Sequence, residues 1–377
     1  MLPQKCIKRC GSTALWSPHR WQKIVASKRY LSAESDSRVP RTIFSGIQPT
    51  GVPHLGNYLG ALQRWVELQN DATAATTLIY SLVDLHAITI RQDPAQLRQW
   101  RNDSFAMLLA VGLDPARSII FHQSAVPAHA ELMWILSCQA STGYLSRMTQ
   151  WKEKAAGERE NSEKLKLGLF SYPVLQAADV LVHRATHVPV GHDQAQHLEF
   201  AREVANGFNH VYGEDILVAP ETLISPAKRV MSLMDAKLKM SKSHSNPKSR
   251  ILLTDSKEEI QSKIKTAITD SDNRITYDPE ARPGVSNLLE MLYYTSRNDK
   301  YSTIEDVVRD MDGTSFKILK GKVADSVEAT IRPIRERYSE LVDKTDYLSG
   351  IALGGAEKAA KSAEATLKSV KEAVGLL

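Results

Sequence analysis

Two short segments of the chain carry side chains suited to phosphate chemistry. The loop K-M-S-K-S at residues 239–243 offers two lysine cations and two serine hydroxyls. The stretch G-I-Q-P-T-G-V-P-H-L-G-N-Y-L-G at residues 46–60 combines four glycines with two prolines directly before a helical pattern. Because a helix N-terminus presents unpaired N–H groups, a phosphate can bind there. A Lys/Ser-rich pentapeptide considered alone is more typical of a solvated turn.

The glycine-rich stretch also excludes two classes of nucleotide-binding protein. It matches neither G-x-G-x-x-G nor a Walker loop, which argues against dinucleotide oxidoreductases and P-loop NTPases. Gly56 lets a ligand approach the backbone, and Gly60, one turn later, lets the helix pack closely. We therefore expect a nucleotide site of a type other than the dinucleotide-binding loop or the Walker loop.

The elements that must position these loops follow an α/β pattern. Strands are predicted at 42–48, 77–84 and 118–124, and helices at 57–69 and 93–109, the latter opening with Asp93 and Pro94. Strands separated by helices of this length predict βαβ units and a mostly parallel sheet. Nucleotides bind such a sheet at the carboxyl ends of its strands.

The last third of the chain changes to a helical pattern. Helices are predicted at 256–268, with a Ser256/Glu259 capping box, at 323–341, with a kink at Pro333, and at 355–375, closed by Gly375. We therefore expect a Rossmann-like α/β catalytic domain at 39–250, followed by an α-helical C-terminal domain at 251–377.

The N-terminus has the composition of an organelle transit peptide. Residues 1–33 contain seven Lys or Arg and no Asp or Glu, so the remaining chain carries a net −2 when the total is +5. We expect residues 1–38 to be a mitochondrial leader. The alternative is a basic tail that touches RNA.

Bulk composition restricts the remaining possibilities. With 42% apolar and 24% charged residues, the chain is typical of a globular protein. Its apolar runs are shorter than the roughly 18 residues that span a bilayer, so no membrane insertion is expected. Cys138 is the single cysteine after the expected leader. It can form neither an intramolecular disulfide nor a multi-thiolate metal site.

Several motifs in order resemble one enzyme family. H-L-G-N at 54–57 and K-M-S-K-S at 239–243 resemble the signature pair of class I aminoacyl-tRNA synthetases. F-S-G-I-Q-P-T-G, D-L-H-A-I-T, S-A-V-P-A-H-A, R-M-T-Q-W-K-E-K, Y-P-V-L-Q-A-A-D and V-P-V-G-H-D-Q together resemble tryptophanyl-tRNA synthetase of the bacterial and mitochondrial type. The resemblance runs from about residue 41 to the C-terminus.

This resemblance implies an activity and a nucleotide site. The tryptophan carboxylate attacks the α-phosphate of ATP, pyrophosphate leaves, and the amino acid passes to tRNA(Trp). Such chemistry depends on positioning and charge stabilisation more than on a dedicated acid or base. The implied catalytic residues are His54, Asn57, Lys239 and Lys242. The implied ATP-binding residues are Gln48, His54, Gly56, Asn57, Gly191, His192, Asp193, Val230, Lys239, Met240, Ser241, Lys242 and Ser243.

The resemblance also implies a tryptophan pocket. An indole offers one N–H donor and a large apolar face, and Asp179 aligns with the family's acceptor for that donor. Leaving Asp179 buried and unpaired would cost roughly 1 to 3 kcal/mol, about tenfold to a hundredfold in discrimination. The implied contacts are Phe44, Gln48, His86, Tyr172, Gln176, Asp179, Val188 and Val190. Gln194 aligns with a group that orients the substrate.

Three positions depart from the family pattern. His192 replaces the usual Glu in G-H-D-Q, H-S-N-P-K replaces D-P-N-P-K after the signature, and Gln176 stands where some members have Met. The resemblance places these departures at a ribose contact, in the loop after the signature and in the indole wall, respectively.

The resemblance further implies ATP with Mg2+ and no zinc, a homodimer, an anticodon-binding C-terminal domain and the mitochondrial matrix. Lys358, Lys361, Lys368 and Lys371 form either a phosphate-facing surface or an ordinary solvated helix face. The alternatives are a tyrosine-type synthetase, a small-molecule adenylyltransferase and a non-catalytic organellar RNA-binding relative.

Overall fold

Five strands form one parallel sheet: β1 Arg41–Ile47, β2 Thr76–Leu82, β3 Ile119–His122, β4 His187–Val190 and β5 Glu221–Ile224. They lie in the order β3-β2-β1-β4-β5, and all neighbours are parallel. In the register, Ile43 of β1 lies opposite Leu78 of β2 and His187 of β4. The chain order reverses between β1 and β4, and a ligand-binding crevice forms at such a switch point. The predicted Rossmann-like α/β fold is confirmed.

The computed structural model describes residues 40–377 apart from 153–165, 192–193, 214, 225–228, 243 and 297–299. The side chains of Val190 and Ile224 are also outside the description. The expected leader at 1–38 and the predicted site residues His192, Asp193 and Ser243 therefore lie outside the described residues. Residues Pro40–Leu377 form one compact unit.

Thirteen α-helices lie within the described residues. They are α1 Leu55–Asn57, α2 Gln63–Asp71, α3 Asp84–Ala87, α4 Pro94–Ala110, α5 Ala128–Ser137, α6 Thr142–Arg147, α7 Leu167–Leu181, α8 Ala195–Tyr212, α9 Lys257–Lys265, α10 Pro283–Thr295, α11 Ile304–Met311, α12 Phe316–Leu341 and α13 Thr345–Ala373. A π-helical turn at Tyr58–Leu62 joins α1 to α2, and short 3-10 helices lie at Gln123–Ala125 and Pro247–Ser249.

Side-chain caps explain where several helices begin and end. Asp93 accepts a hydrogen bond from the Gln96 N–H at 2.8 Å and starts α4, as predicted. Ser256 and Glu259 form the predicted reciprocal box at the start of α9. Gly375 adopts a left-handed φ of 79° just after α13, as a C-terminal glycine should.

Three helix predictions need correction. The helix predicted at 355–375 begins ten residues earlier, at Thr345, and the buried side chains of Leu348 and Ala352 pack its first turns against the core. The predicted helix at 57–69 begins earlier, at Leu55, because His54 caps it, and it is interrupted by the π-helical turn. The helix predicted at 323–341 begins at Phe316, because Ser315 accepts a hydrogen bond from the Ile318 N–H. It continues through Pro333 to Leu341.

The two faces of the sheet bury different cores, as the alternation of side chains along a strand requires. Ile43, Leu78 and Ile120 contribute to one core, which continues into α9, α10, α11 and α12. Phe44, Ile79 and Phe121 face the other, with α5, α7 and α8. The C-terminal helix α13 contributes to both cores. The division into two domains near residue 250 stays a prediction.

Gly355 lets α13 approach the sheet closely. A Cβ atom at this position would lie 1.9 Å from the backbone oxygen of Ile120 in β3, a distance that requires the helix to move. We expect Gly355→Ala to lower the free energy of unfolding by about 3 kcal/mol, at the upper end for overpacking. Denaturant unfolding of the full chain measures this.

The neighbouring glycine provides the control for this prediction. A Cβ at Gly354 has no atom within 4 Å, so Gly354→Ala should stabilise by up to about 1 kcal/mol through helix propensity. Equal stabilities of the two variants would contradict the assigned close approach.

Candidate active site

The two phosphate-type loops lie side by side although the sequence separates them widely. The Leu55 N–H donates to the Ile251 carbonyl at 2.8 Å, and the Leu253 N–H donates to the Pro53 carbonyl at 3.0 Å. Residues 53–55 therefore pair with 251–253, the segment that follows K-M-S-K-S. This pairing sets the distance between the H-L-G-N turn and the lysine loop.

A small hairpin holds the lysine loop. The Met240 N–H donates to the Val230 carbonyl at 3.0 Å, and the Ser232 N–H donates to the Leu238 carbonyl at 2.8 Å. The side chains of Val230 and Met240 are buried in the core, whereas Lys239 between them is exposed. The buried apolar side chains anchor the hairpin, and the Lys239 cation is exposed to solvent.

Lys242 closes the lysine loop onto the glycine-rich loop. Its Nζ atom donates to the Gly51 carbonyl at 2.7 Å. Gly51 has a φ of 96°, a left-handed conformation that favours glycine. Burial lowers the pKa of Lys242 to about 8. The lysine therefore remains largely charged at neutral pH and is held where both loops meet.

His54 is fixed as a neutral hydrogen-bond donor. Its Nδ1 accepts from the Asn57 N–H at 3.2 Å, while the Asn57 Oδ1 accepts from the His54 N–H at 3.1 Å. Burial, together with the charges of Lys242, Lys239 and Arg250, lowers the pKa of His54 to about 3. Because Nδ1 accepts, the neutral imidazole carries its proton on Nε2, which can donate to a phosphate oxygen.

A cavity of about 380 Å³ opens at the carboxyl ends of β1 and β4 and is lined in part by the glycine-rich loop. Its volume is within the range of small-molecule pockets. The predicted site residues that line it are Phe44, Gln48, Asn57, His86, Tyr172, Gln176, Asp179, Val188 and Gly191. The fold therefore brings together seven of the eight predicted tryptophan contacts, and the eighth, the Val190 side chain, lies outside the description.

Among the described residues, three side chains donate hydrogen bonds to the Asp179 carboxylate, and one acceptor position of this carboxylate stays open. Asp179 is 1% exposed, and it accepts from His86 at 2.7 Å, from Gln123 at 2.6 Å and from His129 at 2.8 Å. Burial would raise the pKa of Asp179, but the hydrogen bonds from His129 and His86 outweigh it and lower the pKa to about 2. A carboxylate accepts about four hydrogen bonds, so one more donor can be accommodated.

A polar network forms another part of the wall. The Tyr172 hydroxyl donates to the Gln150 Oε1 at 2.6 Å, and the Gln176 amide donates to the Gln194 Oε1 at 3.2 Å. His197 lies between them, with its Nδ1 3.0 Å from the Gln176 Oε1. Gln176, one of the departures from the family pattern, is thus held by the Gln194 amide and the His197 imidazole.

Sequence reasoning missed four polar groups of this site, namely Gln123, His129, Gln150 and His197. Three lay within segments already singled out: Gln123 at the end of a predicted strand, His129 in S-A-V-P-A-H-A and Gln150 in R-M-T-Q-W-K-E-K. Their contacts with Asp179 and Tyr172 join residues 22 to 56 positions apart. No spacing rule for a single element predicts such pairs.

Comparisons with known proteins agree with this geometry. A family model described as tRNA synthetases class I (W and Y) matches residues 36–332. The chain is 42% identical over 347 residues to a mitochondrial tryptophan–tRNA ligase of Schizosaccharomyces pombe, covering 89% of this chain and 95% of the relative.

Solved structures give the same result. The tryptophanyl-tRNA synthetase of Mycoplasma pneumoniae superposes with a TM-score of 0.78 at 32% identity, covering 89% of this chain and 98% of that one. The Campylobacter jejuni enzyme, complexed with ADP and tryptophan, gives 0.73 at 31% identity, covering 89% and 99%. A tyrosyl-tRNA synthetase from Aeropyrum pernix, at 21% identity and a TM-score of 0.62, shares the fold.

The parallel sheet and the joined H-L-G-N and K-M-S-K-S loops define a class I aminoacyl-tRNA synthetase. Within that class, the chain belongs to the tryptophanyl-tRNA synthetase family. The predicted family is confirmed: the family model covers both the tryptophan and the tyrosine enzymes, and the relatives at 31% identity or more reported above are tryptophan enzymes.

Across the described residues, no three His, Cys, Asp or Glu side chains are placed to hold a metal ion. None of the helices described is both long and apolar enough to cross a membrane.

Proposed function

We propose that the chain activates tryptophan with ATP and transfers it to tRNA(Trp) for mitochondrial translation, in the matrix. The observation that carries this proposal is that Asp179, whose donors among the described residues are three, has one acceptor position left in a cavity lined by the glycine-rich loop, to which Lys242 of the lysine loop is bonded. An indole N–H fills one acceptor position, and the adjacent loops suit a triphosphate. The mitochondrial relative and the acid-free N-terminus support the location.

The loops suit the first step, in which the tryptophan carboxylate attacks the α-phosphate and negative charge moves onto the departing pyrophosphate. His54 offers an Nε2–H donor, and Lys242 and Lys239 offer cations. Such groups lower the barrier by stabilising charge that develops in the transition state. ATP is expected to bind with Mg2+, which offsets phosphate charge and is held largely by phosphate oxygens and water.

The cavity suits selection of tryptophan over smaller amino acids. An aliphatic side chain would leave the fourth acceptor position of Asp179 without a donor, whereas an indole fills it. The apolar side chains of Phe44 and Val188 line the same cavity and suit the face of the ring.

ATP–pyrophosphate exchange by the full chain tests this function. We expect exchange with tryptophan and at least about tenfold weaker exchange with tyrosine or phenylalanine. Exchange with tyrosine alone would favour the tyrosine-type alternative. The absence of exchange with every amino acid would favour a non-catalytic RNA-binding relative. Aminoacylation of mitochondrial and cytosolic tRNA preparations then tests the proposed RNA partner.

The charge of Lys242 predicts a pH dependence. With a pKa of about 8, Lys242 is charged below pH 8 and neutral above it. We therefore expect kcat/KM for ATP to fall as the pH rises through 8, because this parameter reports the free enzyme. Lys242→Arg should move the decline upwards, since arginine stays charged. Exchange rates measured from pH 6.5 to 9.5 decide this, and an unmoved decline in the arginine variant would contradict the assignment.

We also propose a homodimer. The side chains of Ile88, Ile90, Trp134 and Leu167 are 57% to 77% exposed, and aromatic and aliphatic side chains of this size are typical of interfaces. Thr89 lies beside Gly168, so the first two are close in space to Leu167. Sedimentation equilibrium of the full chain measures the assembly, and a monomer at micromolar concentration would exclude it.

The helical region after residue 250 is proposed to contact the tRNA anticodon. Of the four lysines on α13, Lys371 donates to Glu131 at 2.7 Å and Lys368 lies 3.8 Å from Glu372. Those two therefore have partners within the chain. Lys358 and Lys361 are exposed and remain candidates for phosphate contact.

A further inference from the structure

A row of buried polar groups leads from Asp179 to the C-terminal helix. His129 on α5 lies 2.8 Å from the Asp179 Oδ1 through its Nδ1. Its Nε2 lies 3.3 Å from the Nε2 of His183, which follows α7. The Nδ1 of His183 lies 3.3 Å from the Oγ of Ser362 on α13. We call His129, His183 and Ser362 the histidine relay.

The relay passes through the apolar interior. His129 is fully buried and His183 is 3% exposed. Phe121 lies against both imidazoles, with ring centroids 5.7 and 5.9 Å away, and Phe44 of the tryptophan cavity stacks on His183 at 5.6 Å. In such surroundings an unmatched donor or acceptor is costly. The groups are therefore expected to match donor to acceptor along the whole row.

The hydrogen bond to the carboxylate has a fixed direction, because a carboxylate only accepts and His129 therefore donates through Nδ1. Burial is the main cause that lowers the pKa of His183 to about 3, so this imidazole is neutral at pH 7 and has one donor and one acceptor nitrogen. The Nε2 atoms of His129 and His183 face each other, so one of them donates and the other accepts. The Nδ1 of His183 then takes the complementary role towards the Ser362 hydroxyl, which can donate or accept.

We propose that the histidine relay positions Asp179 for the indole N–H, and that its outer end, Ser362, makes the tryptophan pocket depend on the docking of the C-terminal helix. These are positioning residues, since they act through Asp179 and not on substrate. The relay fixes which imidazole nitrogen faces the carboxylate, so that its Oδ1 is engaged and the remaining position stays open to the ligand. This inference rests on the proposed tryptophan site.

Substitution of Ser362, at the outer end of the relay, is the test that disturbs the protein least. Ser362→Ala removes the hydroxyl at the end of the relay, and alanine is well tolerated in a helix. Losing one hydrogen bond of this kind should lower kcat/KM for tryptophan about threefold to tenfold in ATP–pyrophosphate exchange. Ser362→Thr keeps a hydroxyl and should recover most of the activity. Ser369→Ala is the matched control, because the Ser369 hydroxyl contacts only the Ala365 carbonyl of the same helix among its described contacts.

A second substrate separates positioning from general damage. In β-(benzothiophen-3-yl)alanine, sulfur replaces the indole N–H, so its binding does not use the acceptor position of Asp179. The relay variants should therefore lose activity with tryptophan while kcat/KM for this analogue stays within about twofold of the parent.

The inner residue gives the stronger test. His183→Phe retains an aromatic ring against Phe44 and Phe121 but leaves the His129 Nε2 without its partner. We expect at least a tenfold loss for tryptophan, and again little change for the analogue.

The outcomes separate this inference from the proposed function. A parent enzyme that fails to activate tryptophan would overturn both. A parent that activates tryptophan, with equal losses on both substrates or no loss in either variant, would overturn the relay alone. A loss confined to His183→Phe would overturn the role of Ser362 and the coupling to the C-terminal helix.

Discussion

Replacing Lys242 with alanine is expected to slow tryptophan activation by about 100-fold to 1,000-fold, the cost of removing one preorganised group that stabilises transition-state charge. Lys242 lies where the glycine-rich and lysine loops meet, with its Nζ 2.7 Å from the Gly51 carbonyl. Its loss removes a cation from the place where pyrophosphate charge is proposed to develop. Single-turnover formation of tryptophanyl-adenylate measures the step directly.

Lys237 supplies the matched control for this variant. It is an exposed lysine in the same hairpin, and its described hydrogen bond is made by its backbone N–H to Asp235. Lys237→Ala should therefore retain the rate of activation. Lys237→Ala should unfold like the parent, whereas Lys242→Ala loses a partly buried hydrogen bond and should be destabilised by about 1 kcal/mol. Near-normal activation by Lys242→Ala would overturn the role assigned to this lysine.

Asp179→Asn is expected to lower kcat/KM for tryptophan by about 100-fold to 1,000-fold, because buried donors would then face an amide N–H. His86, Gln123 and His129 all donate to the carboxylate, and an asparagine cannot accept from all of them and from the indole. The KM for ATP should change far less. Exchange measured with tryptophan and with the benzothiophene analogue provides the comparison.

Glu328, a buried carboxylate outside the cavity, provides a control for the loss of stability expected in Asp179→Asn. Glu328 on α12 is buried and accepts two hydrogen bonds from Arg335, far along the chain from the cavity residues. Glu328→Gln should destabilise the fold without changing the preference for tryptophan over the analogue. If Asp179→Asn kept the parent preference, Asp179 would not be the acceptor of the indole N–H.

Local signals in the sequence predicted much of the fold. Three of the five strands, β1 to β3, and the helix capped by Asp93 are predicted from periodicity and caps, which are properties of neighbouring residues. The short strands β4 and β5 are not predicted. The helix predicted at 57–69 was placed wrongly because of local features that do not follow the usual cap and periodicity rules. His54 is an uncommon N-cap, and the π-helical turn at Tyr58–Leu62 breaks the usual period.

The residues that line the candidate site were predicted better than the residues that hold them in place. Phe44, Tyr172 and Asp179 were implied by the resemblance, and they line one cavity. Their partners were missed, because a motif match transfers the residues that touch a ligand and says little about those that hold them. The pairing of 53–55 with 251–253 was likewise outside the reach of pattern reasoning.

By itself the sequence determined the class of fold, the family and the chemical types of the groups at the site, because these depend on local periodicity and on motifs in a fixed order. Only the tertiary structure decided which groups share hydrogen bonds. Within the part of the chain that the structure describes, Asp179 keeps one open acceptor position because His86, Gln123 and His129 come from three other segments, and Lys242 reaches Gly51 across 191 positions of chain. Long-range packing sets those distances, and burial then sets the charge of each group.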